Sequence, residues 1–192
     1  IMLLMNNRQR ILETAISLFS AKTFEAIGIN QVAVKAGITK PTLYHYFGSK
    51  TGLMEAILKE WGNQYLVILE RAALYNHDVK ATLTNIASAQ LAFACEYTEF
   101  YRLLKSMSMM PDKSDSFQLV KSYKEREYDI IKELFFQISS DHGNIGERYT
   151  VYAATFIGLV ATYVDLFLRG ISYREEDLFY STIHQFMHCI FS

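Results

Sequence analysis

The feature that most restricts what this chain can become is the stretch of residues 29–50, INQVAVKAGITKPTLYHYFGSK. Val32, Ala33 and Ala36 recur at helical spacing and give a helix of one to two turns its apolar face. Gly37 supplies the residue that tolerates a positive φ at a helix C-terminus. Ile38 is expected as a buried staple and Thr39 as the N-cap of a second helix, with Pro41 tolerated in its first turn. Leu43 and Phe47 then face inward, and Lys40, Thr42, Tyr44, His45 and Tyr46 are left to point elsewhere. Two short helices joined by a tight glycine turn make a helix-turn-helix, whose second helix enters a DNA major groove.

The flanking sequence supports that motif. A first helix over about residues 6–22 carries Ile11, Ala15, Leu18 and Phe19, and Phe24, Ile27 and Ile29 close a small core. Gly48-Ser49 breaks the chain, and Ser49 caps a helix predicted over about 50–75 with Leu53, Ile57, Trp61 and Leu69 among its apolar positions. This helix begins beside the motif at Lys50 and ends deep in the remaining chain.

Residues 11–58 resemble the N-terminal domain of the TetR family of one-component bacterial transcription regulators. The resemblance is carried by an ordered set: ILETAISLF, then Val32-Ala33 with Ala36-Gly37-Ile38, then Lys40-Pro41-Thr42-Leu43-Tyr44-His45-Tyr46-Phe47, then Ser49-Lys50 and Leu53. It implies phosphate contacts from Tyr44 and Lys50, and places Lys40, Pro41, Thr42 and His45 where family members touch bases or the groove wall. Lys50 also falls in a helix first turn, where free backbone N–H groups favour an anion. Thr39 can donate to a phosphate, Tyr46 stands where the family usually has His, and Asn30 could reach the backbone. Two positions depart from the pattern: Gly28 replaces a common Thr or Ser and lacks its hydroxyl, and Pro41 stands where Gly is common.

Charge is segregated in the same sense. Residues 1–50 hold six Lys/Arg against Glu13 and Glu25, whereas residues 51–192 hold thirteen against eighteen acids. A basic head on an acidic body suits a DNA reader with a separate sensing or pairing domain. The expected architecture is all-α with about nine helices: an N-terminal three-helix DNA-binding domain over residues 1–48, then a helical ligand-binding and dimerisation domain over 49–192. Helices are predicted over about 79–96, 98–109, from the Pro111–Asp115 loop to about 139, and 147–169. Ser172 and Glu175 form a capping box for a last helix.

A single module is too small to hold a specific site, and two half-sites are needed for discrimination. The resemblance implies a homodimer built from the last two helices. Helix 147–169 is apolar on nearly every face, and Ala154, Gly158, Ala161 and Thr162 allow close approach of another helix. The last helix adds Phe179, Ile183, His184, Phe186, Met187 and Ile190. Residues 149–168 carry one charge in twenty, yet Asp165, three threonines and three tyrosines make a costly membrane span, so a helix covered on all sides is expected.

The body also concentrates aromatic residues. Trp61, Tyr65, Phe93, Phe100, Tyr101, Met107, Tyr123, Phe156 and Tyr163 could line a cavity for a small, neutral or apolar effector, with phenol hydroxyls orienting it. His184 and His188 are four apart, a spacing able to hold Zn²⁺, but no carboxylate is placed locally to complete a site, and they are expected as structural histidines at a dimer surface. No nucleophile elbow, phosphate-binding glycine loop or paired acid motif is present, so neither catalysis nor a cofactor is expected. Two cysteines, Cys95 and Cys189, and no convincing signal peptide suggest a reducing cytoplasm.

Overall fold

The computed structural model describes residues 7–143, 145–171 and 181–188. Among these the regular elements are helical throughout. The helices are α1 (Asn7–Ala21), α2 (Ile29–Lys35), α3 (Lys40–Phe47), α4 (Lys50–Ile57), α5 (Asn63–Ala72), α6 (Val79–Glu96), α7 (Thr98–Ser108), α8 (Asp115–Asp141) and α9 (Tyr149–Leu168), with α10 over residues 181–188. The chain forms two compact units, Ile1–Gln64 with Glu99–Ser122, and Tyr65–Thr98 with Tyr123–Ser192.

In the first unit α1 packs on α2 and α4, and α3 packs on α2 and α4. Their shared core is Ile11, Leu12, Ala15, Phe19, Phe24, Ile27, Val32, Ala33, Leu43, Leu53 and Met54, all buried. The turn between α2 and α3 is a Schellman motif. Gly37 adopts φ +64°, its N–H reaches the Val34 carbonyl at 3.1 Å, and the Ile38 N–H reaches Ala33 at 3.0 Å. Thr39 Oγ1 then accepts from the Thr42 N–H at 3.3 Å, and Ser49 Oγ accepts from the Gly52 N–H at 2.9 Å, so α3 and α4 each start on a side-chain cap. Ile38 and Phe47 are half-buried, less enclosed than expected. Phe47 closes the last turn of α3, where its ring meets the Arg8 guanidinium 5.9 Å from the centroid.

The helix expected over 50–75 runs from Lys50 to Ala72 and is not uniform. Residues Leu58–Gly62 form a π-helical segment between α4 and α5. A π segment inserts an extra residue per turn and recurs at functional positions in helices. It also lies just before the boundary between the two units at Gln64 and Tyr65.

In the second unit Phe135, Phe156 and Phe186 form a triangle with ring centroids 5.9, 6.1 and 5.5 Å apart, tying α8, α9 and α10 together. Ile183, expected at an intersubunit surface, is instead fully buried within its own chain. Helix α9 also departs from expectation. Ala153, Phe156, Val160 and Val164 are buried, but Val151 is 61% exposed and Ala154, Thr155, Gly158 and Thr162 are exposed as well. A helix apolar all round therefore keeps one apolar face open, because the described neighbours cover only the other side. The capping box Ser172–Glu175, with Phe179, Cys189 and Ile190, lies outside the described residues.

Gly52 lies close against the backbone of α3. A Cβ there would sit 2.1 Å from the Phe47 carbonyl oxygen. Gly52→Ala is expected to lower unfolding stability by about 1–3 kcal/mol, as overpacking against backbone does, read as a lower urea midpoint at unchanged slope.

Candidate nucleic-acid interface

The interface is built from what α3 leaves outside. Leu43 is buried and fixes the rotation of the helix, and Pro41 occupies its first turn. Thr39, Lys40, Pro41, Tyr44, His45 and Tyr46 are all exposed, and Thr42 is half-buried. Tyr44 and Tyr46 are 41% and 40% exposed, high for large aromatic side chains in an ordered helix. Lys40 Nζ stands 5.6 Å from the Tyr44 ring centroid, Thr39 and Thr42 share a hydroxyl hydrogen bond of 2.8 Å, and His45 meets Tyr46 edge to face at 5.9 Å. The result is a compact set of donors and ring faces: an ammonium and phenols for phosphates, hydroxyls and an imidazole for base edges. Asn30 is exposed at the start of α2.

Gly28 caps α2 without a side chain, and Gln31 supplies the missing half. Its Oε1 accepts from the Gly28 N–H at 2.7 Å, the reciprocal arm of a capping box. Sequence reading noted the absent hydroxyl and overlooked Gln31, although a Gln three residues after a cap is a recognisable signal.

Lys50 is placed differently from a simple phosphate donor. Its ammonium lies 4.2 Å from the Phe24 ring centroid and 3.5 Å from the Glu25 carbonyl oxygen. Burial pushes its pKa down, partly offset by the charges of Glu25 and Asp115. Glu25 in turn accepts a short hydrogen bond from the Ser116 hydroxyl, at the start of α8. Glu25, Lys50, Asp115 and Ser116 thus form a polar node inside the first unit that sequence reading did not foresee, since its members lie up to 91 residues apart.

The effector candidates are distributed over both units. Trp61, Phe100 and Met107 are buried in the first unit, where the Trp61 and Phe100 ring centroids lie 6.4 Å apart, and Tyr101 is half-buried. In the second unit Tyr65 meets Phe93 at 5.1 Å and Phe93 meets Tyr97 at 4.9 Å, while Tyr123 and Tyr163 are half-buried and Phe156 is buried. The residue that sequence reading missed is Glu127. It is 5% exposed and accepts short hydrogen bonds from the Tyr65 hydroxyl and the Lys124 ammonium, so its charge is matched inside the body. An open groove of about 350 Å³ between α9 and α10 is lined by Val151, Tyr152, Thr155, Leu159, Tyr163, Thr182, Gln185 and Phe186, and Tyr163 is the effector candidate that reaches it. Of the proposed pairing residues on these helices, Ala154, Gly158, Thr162 and His184 are exposed, and Ala161 and Met187 half-buried.

Residues 11–57 match the family described as bacterial regulatory proteins, tetR family. A transcriptional activator from Mycolicibacterium smegmatis, FasR, is 28% identical over 158 residues, 82% of this chain and 69% of that protein. A TetR-like transcriptional regulator from Rhodococcus sp. RHA1 superimposes with a TM-score of 0.75 at 20% identity, over 94% of this chain and 92% of that one. AibR, solved with isovaleryl coenzyme A and operator DNA, superimposes with a TM-score of 0.75 at 20% identity, over 94% and 97%. Residues 11–57 thus match the DNA-binding domain of the TetR family, and the fold over most of the chain is that of TetR-like regulators.

The polar node has a pH signature. Burial alone raises the Glu25 carboxyl, but the Ser116 hydroxyl, backbone N–H donors and Lys50 outweigh it and hold the pKa below its ordinary 4.5. A carboxylate depressed on folding stabilises above its unfolded pKa and loses that contribution as pH falls through its folded value. Wild type is therefore expected to exceed Glu25→Gln in stability at pH 7, by less than about 1 kcal/mol for so exposed a group. The gap should close as pH drops below 4.5, as followed by urea unfolding at successive pH values.

Proposed function

We propose that the protein is a homodimeric repressor released from a palindromic operator by a small effector. The observation that carries the reading is the α3 surface: a helix capped by Thr39, held by buried Leu43, with Lys40, Tyr44, His45 and Tyr46 all turned outward. Two such helices, one per subunit, would occupy successive major grooves about 34 Å apart. Asn30 and Lys50 flank them as further backbone contacts. Effector binding in the body would change the separation of the two heads through the Lys50–Ala72 run, whose π segment at Leu58–Gly62 is where such a run bends most easily.

The open face of α9 supports pairing. Val151, Ala154, Gly158 and Thr162 leave an apolar strip of small residues uncovered, and a second copy buries it against itself. The helix is also long and apolar enough to cross a membrane. Its neighbours in α6 and α10, and the fold shared over most of the chain with TetR-like regulators, favour a pairing face over a lipid-facing one.

The effector is proposed to be small and largely apolar. The supporting features are the Tyr65–Phe93–Tyr97 run and a buried acid already neutralised by Lys124, which leaves phenol and amide groups to orient a ligand. AibR was solved with isovaleryl coenzyme A, so short acyl thioesters are the first ligands to try. A second reading, that the protein activates transcription, is favoured by the similarity to FasR.

Fluorescence anisotropy with DNA from immediately upstream of the gene tests the reading. Tight, salt-sensitive binding by two chains is expected, with an affinity about 10- to 100-fold weaker and a flatter salt slope in Tyr44→Phe/Lys40→Ala. Lys40 is the better charge to remove, because Lys50 also serves the node with Glu25. Binding no tighter than to random DNA, unaltered in the variant, would overturn the operator reading. Pairing is tested separately by Gly158→Glu. A Cβ at Gly158 meets open space within its own chain, so the fold should survive while sedimentation shifts to the monomer.

A further inference from the structure

We infer that Glu25 is a positioning residue that competes with operator phosphate for Lys50, and that Ser116 at the start of α8 restrains it. The inference rests on the operator reading above and names a control on that same surface. The two ends of Glu25 have different partners. Its backbone carbonyl oxygen lies 3.5 Å from Lys50 Nζ, whereas its carboxylate accepts a short hydrogen bond from the Ser116 hydroxyl. The Ser116 backbone N–H favours the same charge. Ser116 is fully buried and stands in the first turn of α8, where backbone N–H groups lack partners within the helix, so a carboxylate is well placed there.

Lys50 lies against the Phe24 ring at 4.2 Å, and the charges of Glu25 and Asp115 both act on its ammonium. A carboxylate and a phosphate offer an ammonium the same kind of partner, a charged oxygen that accepts a charge-assisted hydrogen bond. A carboxylate paired with Lys50 takes up its donors and repels an arriving phosphate. The bond to Ser116 is what keeps the Glu25 carboxylate from that role. Helix α8 runs on from Ser116 past Ser122 into the second unit and ends at Asp141. A shift of its first turn by roughly 1–2 Å carries the hydroxyl out of hydrogen-bonding range. The carboxylate so released belongs to the residue whose carbonyl Lys50 already touches. Control of operator affinity then needs no change in α3 itself.

The test is a double-mutant cycle on the full chain, read by operator anisotropy with a salt titration. Wild type that binds the operator no better than random DNA removes the operator reading and the inference with it. Where wild type binds, Ser116→Ala is expected to weaken affinity about 5- to 20-fold and to flatten the salt slope by about one phosphate contact. Glu25→Gln is expected to tighten binding about two- to fivefold, because a negative charge beside the phosphate is gone. Adding Glu25→Gln to Ser116→Ala should bring affinity back to that of Glu25→Gln within about twofold. A purely structural role for Ser116 predicts a loss that persists in the double variant. Unchanged affinity in Ser116→Ala, or a loss that Glu25→Gln does not rescue, overturns the inference and leaves the operator reading standing. Glu25 is exposed, so Glu25→Gln decides alone if circular dichroism shows Ser116→Ala unfolded: binding no tighter than wild type overturns the competition.

Discussion

Burial of Leu43 is the constraint on which the recognition surface depends. A helix of eight residues cannot hold its own rotation in water, because short helices gain most of their stability from packing rather than from propensity. Leu43 is its one fully buried side chain, and α2 and α4 supply the walls. With that rotation fixed, Lys40, Tyr44 and His45 have one direction left. Thr39 and Gly48 then set where the helix begins and ends, so the positions of six outward side chains follow from one inward one.

A second layer of constraint acts on the joint between α3 and α4. Gly48 takes φ +69°, and Gly52 lies so near the Phe47 carbonyl that any side chain there would collide. The chain turns sharply, and Lys50 is carried against Phe24 and Glu25. Through Ser116 the same carboxylate reaches α8. The loop before α2, the start of α4 and the start of α8 therefore meet at one polar node. Burial at this node lowers the lysine's pKa, and the charges of Glu25 and Asp115 offset part of that shift.

Much of this was legible in the sequence, for identifiable reasons. Thr39, Ser49 and Gly37 are local signals: each acts within four residues of itself, so the ends of α2, α3 and α4 could be read directly. What could not be read depends on distant partners. Glu127 sits in the polar run KEREYD and looks like a solvated face until Tyr65, 62 residues away, places a phenol over it. The π segment carries no composition of its own. Ile183 shows the same limit from the other side: its apolar side chain predicts burial, and only the fold decides that the cover comes from within the chain. The scatter of the aromatic candidates over both units has this origin too, since helical spacing reports that a residue faces inward and not which neighbour it meets.

Helix α9 brings these arguments to a point. Its sequence promises complete burial, and the single chain leaves Val151 and a strip of small residues exposed. An apolar face of this kind costs free energy in water and rarely persists on an isolated subunit. The bare strip is also built for close contact, because at Gly158 an added Cβ would meet nothing of its own chain. Small residues let two backbones approach and widen the area they share, so the strip suits contact with another helix. Another helix of matching shape would cover it, and in the homodimer proposed above a second copy of this chain supplies that helix.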